Sequence, residues 1–280
     1  MEPINKIIKE QATSLLTLDS KTCDKHISEM TGEVKPIKMV IYEGLSVCPI
    51  CERDKANEEL SVIQTQKWQQ AVKSENYRIL DTKSITTDAT LLRVSFGSYD
   101  AHSKEEIENK QKASDVFKRF KSGEVFNLWL VGSPGVGKSH LAMSILRNLN
   151  EVEEKDKSCL FISVDERFRN IRKNFRNKDS IFTESYFIGL CSKVDYLVLD
   201  DLGAETGSTN TMKTASDFTL RVLYGIANAR QSKSTIITTN LSTEVLTNMY
   251  DAKLVSRLLK NHTLIKFSST KDKRIKNVGF

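Results

Sequence analysis

The octapeptide GSPGVGKS, residues 132–139, combines small residues, one cation and one hydroxyl at the spacing G-x-x-x-x-G-K-[ST]. Gly132, Ser133, Pro134, Gly135, Val136 and Gly137 make a loop whose backbone N–H groups can converge on phosphate oxygens, since glycine tolerates the turns that this requires. Lys138 adds a point charge for β and γ phosphates of ATP, and Ser139 a hydroxyl ligand for Mg²⁺. Further on, YLVLDDLGAE ends an apolar run at two adjacent carboxylates, Asp200 and Asp201. Such charge is costly in a buried strand unless a cation compensates it. Asp200 is therefore expected to face the same Mg²⁺ from the opposite side, and Asp201 to orient an attacking water. Asp201 is one methylene shorter than a glutamate, which predicts slow hydrolysis. The next strand-like run, STIITTN, ends at Asn240, whose amide suits holding that water between the γ-phosphate and Asp201. The plain alternatives are a glycine turn that binds nothing and a loop carboxylate at Asp201.

These residues need a scaffold, and the pattern from Val125 onward describes one. FNLWLVG, CLFISV, YLVLDD and STIITTN read as strands, separated by helical patterns at His140–Asn150, near 166–176 and near 213–231, and followed by a helical tail. Strands alternating with helices imply an α/β fold with a parallel sheet whose ligand lies at the carboxyl ends of the strands. Upstream, Leu60, Ile63, Trp68 and Ala71 recur at helical spacing between Glu58 and Tyr77, and DTKSITTD (81–88) reads as a linker. The expected division is 1–84 and 85–280. Residues 1–84 hold 12 Lys+Arg against 13 Asp+Glu and the remainder 30 against 23, so the basic excess lies in the second part, where it permits nucleic-acid binding.

CDKH (23–26) and CPIC (48–51) pair Cys23 with His26 and Cys48 with Cys51. Three thiolates and an imidazole in two chelating pairs suit a closed tetrahedral Zn²⁺ site that is structural, because no position stays open for water. Free thiols and a surface histidine are the alternative. Cys159 and Cys191 fall in apolar patterns and read as core thiols. MEPINKIIKE lacks the apolar segment of a secretory signal and no stretch of 18 apolar residues occurs, so a soluble cytoplasmic protein with no membrane association is expected.

In DERFRNIRKNFRNK (165–178) a helix would set Phe168, Ile171 and Phe175 on one face and Arg169, Arg172, Lys173 and Arg176 on another, a stripe suited to a phosphate backbone or simply to water.

In order and spacing, GSPGVGKS, DDLGAE, ITTNL and LVSRLL resemble the AAA+ ATPases of the bacterial and phage helicase-loader family, the DnaC/DnaI type, over about residues 90–275. The IstB-type transposition helper ATPases share these motifs. The resemblance implies a self-associating AAA+ module with ATP between subunits, and a replicative hexameric DNA helicase as partner. It makes Arg257 of VSRLL an arginine finger for the neighbour's ATP, gives Arg230 a family position without a firm role, brings Phe96 or Tyr99 near the adenine, and turns the basic helix toward single-stranded DNA. DnaI-type loaders similarly carry a zinc-bearing N-terminal domain that docks on the helicase, which favours a loader over a transposition helper. A nucleotide-dependent adaptor that does not hydrolyse ATP is a further alternative.

Overall fold

The computed structural model describes residues 17–28, 31–152, 155–173, 183–206 and 214–274. The chain divides into two compact units, Met1–Gln70 and Ala71–Phe280, and the division lies within helix α1 (Pro49–Lys83).

The first unit holds an antiparallel meander of β1 (Thr17–Cys23), β2 (Ile37–Tyr42) and β3 (Leu45–Val47). Glu43 and Gly44 both take positive φ, 48° and 80°, the two-residue turn that matches the twist of a hairpin. Cys23 ends β1, Cys48 follows β3 and Cys51 lies in the first turn of α1, so the meander itself gathers the two sequence-distant pairs.

The second unit is built on five parallel strands in the order β5-β6-β7-β4-β8: β4 (Asn127–Gly132), β5 (Cys159–Ser163), β6 (Tyr196–Asp200), β7 (Thr235–Thr239) and β8 (His262–Phe267). Alternate side chains explain the unbroken apolar runs, because both sheet faces are covered. On one face Leu128, Leu130, Phe161, Val198 and Ile236 pack under α2 (Lys104–Lys121) and α3 (Lys138–Asn150). On the other, Trp129, Leu160, Ile162, Leu197 and Ile237 meet α4 (Val164–Lys173), α5 (Glu184–Lys193) and α6 (Asp217–Ala229).

Two expectations change. The helical tail is two short helices, α7 (Thr243–Tyr250) and α8 (Ala252–Leu258), followed by β8, whose HTLIKF alternates in burial and pairs in parallel with β4. The 81–88 linker is ordered in part: α1 runs to Lys83, and Ile85 adds a parallel bridge to Ile162, donating to the Phe161 carbonyl at 2.8 Å and accepting from Ser163 at 2.8 Å. Helix α2 went unpredicted although Ser103 and Glu106 form its capping box. Among the described residues no helix is long and apolar enough to cross a membrane.

Candidate functional site

The loop 132–137 joins the end of β4 to α3, as a phosphate cradle requires. Gly135 and Gly137 adopt φ of 76° and 95°, and a Cβ at Gly137 would lie 2.6 Å from the Tyr99 ring, so both the turn and the close approach demand glycine. Ser133, Pro134 and Val136 complete the loop. Lys138 is buried to 4% exposure and its ammonium donates to the carbonyls of Gly132 at 2.8 Å and Ser133 at 2.7 Å and to Asn240 Oδ1 at 2.7 Å. Burial draws its pKa down, while Asp201 and Asp200 oppose that shift. All three partners are neutral oxygens, which phosphate oxygens can outcompete electrostatically.

Asp200 closes β6 at 5% exposure and accepts from Thr238 Oγ1 at 2.7 Å. Burial, then the neighbouring Asp201, push its carboxyl up to about 6; the Thr238 and Ser139 hydroxyls and Lys138 act the other way. Asp201 sits in the left-handed region, φ 55°, which aspartate tolerates better than most residues. Its N–H donates to Thr238 Oγ1 at 2.8 Å. Thr238 thereby sets the whole Asp200–Asp201 corner, a role foreshadowed only by its place beside Asn240 in IITTN.

Asp200, Asp201, Asn240, Lys138 and Ser139 line one cleft of about 320 Å³, together with Tyr99, His140 and Arg274. The fit to a nucleoside triphosphate with Mg²⁺ is chemical: a glycine cradle, a buried ammonium, and a buried carboxylate beside a hydroxyl. The cleft continues past Leu91 and Val94, apolar walls of the kind a base needs, and Tyr99, not Phe96, lines it.

Arg257 ends α8 on the surface, outside that lining; its guanidinium lies 5.4 Å from the Tyr224 ring centroid and donates to Lys253 O at 3.2 Å. Arg230 has a different place. It is 4% exposed and donates to Thr235 Oγ1 and to the carbonyls of Cys191, Val194, Asp195 and Ser234, which ties the ends of α5 and α6 to β7. Burial lowers its pKa to about 10. It is a structural tie remote from the cleft's lining.

Helix α4 buries Phe168 and Ile171 as its periodicity predicts. Its cations are less uniform: Arg169 pairs with Asp165 and, at 3.8 Å, with Glu166, Arg172 reaches Thr219 Oγ1 at 3.4 Å and leans on Phe218, and Lys173 is exposed. Phe175 and Arg176 lie outside the described residues.

In the first unit, Cys23, His26, Cys48 and Cys51 bring their ligand atoms within 4.8 Å of one another. Cys23 Sγ and Cys51 Sγ are 3.8 Å apart, and His26 Nε2 lies 3.2 Å from Cys48 Sγ and 3.3 Å from Cys51 Sγ. A tetrahedron with Zn–S bonds of about 2.3 Å has sulfur–sulfur edges of about 3.8 Å, so the cluster fits zinc. Cys159 and Cys191 are fully buried in the other unit, where burial raises their thiols, as expected of core cysteines.

The sequence profile described as IstB-like ATP binding protein matches residues 83–268. The chain is 27% identical over 172 residues to the replicative helicase loader DnaC of Escherichia coli (strain K12), covering 61% of this chain and 64% of that protein, so it spans less than two thirds of that relative's length. It resembles the crystal structure of the DnaC helicase loader with a TM-score of 0.52 at 26% identity, covering 65% of this chain and 100% of that one. The crystal structure of DnaI aligns with a TM-score of 0.54 at 22% identity over 66% of this chain and 96% of that one, a likeness of fold. The architecture is an α/β AAA+ P-loop domain, preceded by a small unit with a Cys/His cluster compatible with zinc.

Proposed function

Because the chain belongs to the family of IstB-like ATP binding proteins, we propose that it is an ATP-dependent loader of a replicative hexameric DNA helicase, binding single-stranded DNA and hydrolysing ATP between subunits of its own assembly. The observation that carries the ATPase part is the meeting of the Lys138 ammonium, the Asp200–Asp201 corner and Asn240 in one cleft. The loader part rests on the likeness to DnaC, which covers the whole of the DnaC structure.

In this reading Lys138 exchanges its carbonyl partners for β- and γ-phosphate oxygens, and the glycine loop binds the rest through N–H groups. Ser139 and Asp200 would hold Mg²⁺, which when bound neutralises phosphate charge. Freed from Lys138, the Asn240 amide can hold the attacking water against Asp201, whose short side chain makes turnover slow. Arg257 of one copy stabilises the charge growing on the neighbour's γ-phosphate.

In the first unit Leu18, Val40, Tyr42, Leu45 and Val47 share one face of the meander, since Leu18 pairs with Val40, Val40 with Val47 and Tyr42 with Leu45. Leu18, Tyr42 and Leu45 stay exposed, 70%, 49% and 69%, which suits a surface that grips the helicase. Affinity capture with the full chain is expected to co-purify a hexameric helicase. Recovery of a transposase instead would establish the second reading that the matched family favours, a transposition helper. Absence of labelled-ATP turnover, with and without single-stranded DNA, would leave only a nucleotide-dependent adaptor.

For DNA, Arg169, Arg172, Lys173 and Arg176 remain the proposed contacts; among the described residues Arg169 is engaged by carboxylates on α4, whereas Arg172 and Lys173 are not. The double reversal R172E/K173E is expected to weaken single-strand binding and to reduce its log–log salt slope by about 1.4, the value for two lost phosphate contacts. An unchanged slope would place the DNA elsewhere.

A further inference from the structure

Residues 268–274, which follow β8, stay against the domain. Ser268, Ser269 and Thr270 turn three successive N–H groups onto the carboxylate of Glu105, at 2.7, 3.0 and 2.7 Å, and the Thr270 hydroxyl joins them. Against the cost of burial, these four donors hold the Glu105 carboxyl down to about 2, so it stays ionised throughout the neutral range. The next residue along α2, Glu106, caps its own helix with Oε2 and takes the Lys273 ammonium on Oε1 at 3.1 Å.

Between these two anchors the chain crosses the glycine loop. The Lys273 N–H donates to the Gly135 carbonyl at 3.0 Å, its ammonium also reaches the Asp100 carbonyl and lies 4.1 Å from the Tyr99 ring centroid. A Cβ at Gly135 would meet the Asp272 carboxylate, so segment and loop are in close contact. Asp272 Oδ1 in turn accepts from the Arg274 N–H at 2.8 Å, a turn that directs the chain back to the cleft, which Arg274 lines together with Lys138 and Ser139. The Arg274 charge is felt by both Lys138 and Asp88, two other residues of the cleft's lining.

We propose that Glu105 and Glu106 are positioning residues of the nucleotide site: they strap Ser268–Arg274 across the glycine loop and so deliver the Arg274 guanidinium to the phosphates of a bound nucleoside triphosphate. The inference rests on the nucleotide reading above and adds to it the device that forms the roof of the cleft. No acid on α2 touches the cleft directly; the action passes through the strap. Glu105 is the better probe, because Glu106 also caps its helix.

The test is a double-mutant cycle on the full chain, read as the dissociation constant of a fluorescent ATP analogue and as KM against kcat. E105A and R274A are each expected to weaken nucleotide binding about tenfold, the worth of one lost charge-assisted contact. E105A/R274A is expected to be no weaker than R274A alone, and E105Q, which keeps one acceptor oxygen, to fall between wild type and E105A. E105A binding like wild type, or losses that multiply to about a hundredfold, would overturn the proposal, since a merely structural role adds independently. Should E105A fail to fold, E105Q takes its place in the same cycle and the same two outcomes decide. If K138A loses nucleotide while E105A does not, the strap alone is refuted; if wild type binds no nucleotide, both readings fall together.

Discussion

Neither K138A nor R257A is expected to turn over ATP measurably, whereas an equimolar mixture of the two recovers about a quarter of the wild-type rate, the fraction of randomly formed heterologous interfaces in which an intact loop faces an intact finger. The two defects differ in kind. Lys138 is buried in the cleft and bonded to three oxygens, so its loss removes the charge that phosphates would meet and strips the Asp200–Asp201 corner of a neighbouring cation. Binding itself fails in K138A. Arg257 stands on the surface at the end of α8, leaning on Tyr224, and lines no part of its own cleft. R257A should therefore bind nucleotide normally and lose about 10³-fold or more in turnover, the worth of a finger acting in trans. A helix of seven residues carries it, entered through Asp251, whose φ of 103° is a strained backbone for aspartate. Strain of that kind persists only where the surroundings hold it, here by the Lys253 N–H on Asp251 Oδ1 at 2.6 Å and by Tyr224. A mixture as inactive as either parent would show that Arg257 serves no neighbouring site. Turnover retained by K138A alone would remove the cleft from the account altogether.

What the sequence disclosed follows the reach of each interaction. GSPGVGKS is legible because every contact it needs is local: strand, loop and helix are consecutive, and the glycines mark the two positive-φ positions by residue type. Asp200 was legible because a carboxylate that ends a five-residue buried strand must be offset by a cation or a firm hydrogen bond. Thr238 was harder. A threonine in TIITT looks like ordinary β-sheet composition, and its bridging of Asp200 Oδ1 and the Asp201 N–H depends on β7 lying beside β6. Arg230 stayed without a role for the same reason, since its carbonyl partners come from residues 191–195 as well as from Ser234. The strand HTLIKF was overshadowed by the helical spacing of LVSRLL just before it, and only its pairing with the whole length of β4 makes it a strand. With β8 unrecognised, the roof of the cleft and its Glu105 anchor were out of sight, because the partners stand more than 160 positions apart.

Removal of zinc is expected to unfold the Met1–Gln70 unit while leaving nucleotide affinity unchanged. Among its described residues Cys48 is the one buried side chain, so these residues supply no apolar core to hold the meander. A unit this small cannot offset its conformational entropy by burial alone. Structural zinc contributes about 10–16 kcal/mol at neutral pH, as much as the whole stability of a typical domain. The cluster is placed to apply it: one ligand pair closes β1, and the other joins the end of β3 to the start of α1. The crowded thiols shift in opposite directions: against the cost of burial, the Cys51 N–H, the His26 ring and the Ile50 N–H draw Cys48 down to about 6, while burial and the neighbouring Cys23 and Cys48 push Cys51 up to about 11, a crowding of sulfur that a cation would relieve. Purified chain should hold one zinc ion, and C48S or a strong chelator should remove it. Backbone amide exchange in β1 and β2 should then rise to unprotected rates, and capture of the helicase should fail. The Ala71–Phe280 unit has its own two-sided core and should keep both its fold and its ATP affinity. Protected amides in a zinc-free meander would mean that the four ligands are bystanders and that some other contact, unseen among these exposed strands, supplies the stability.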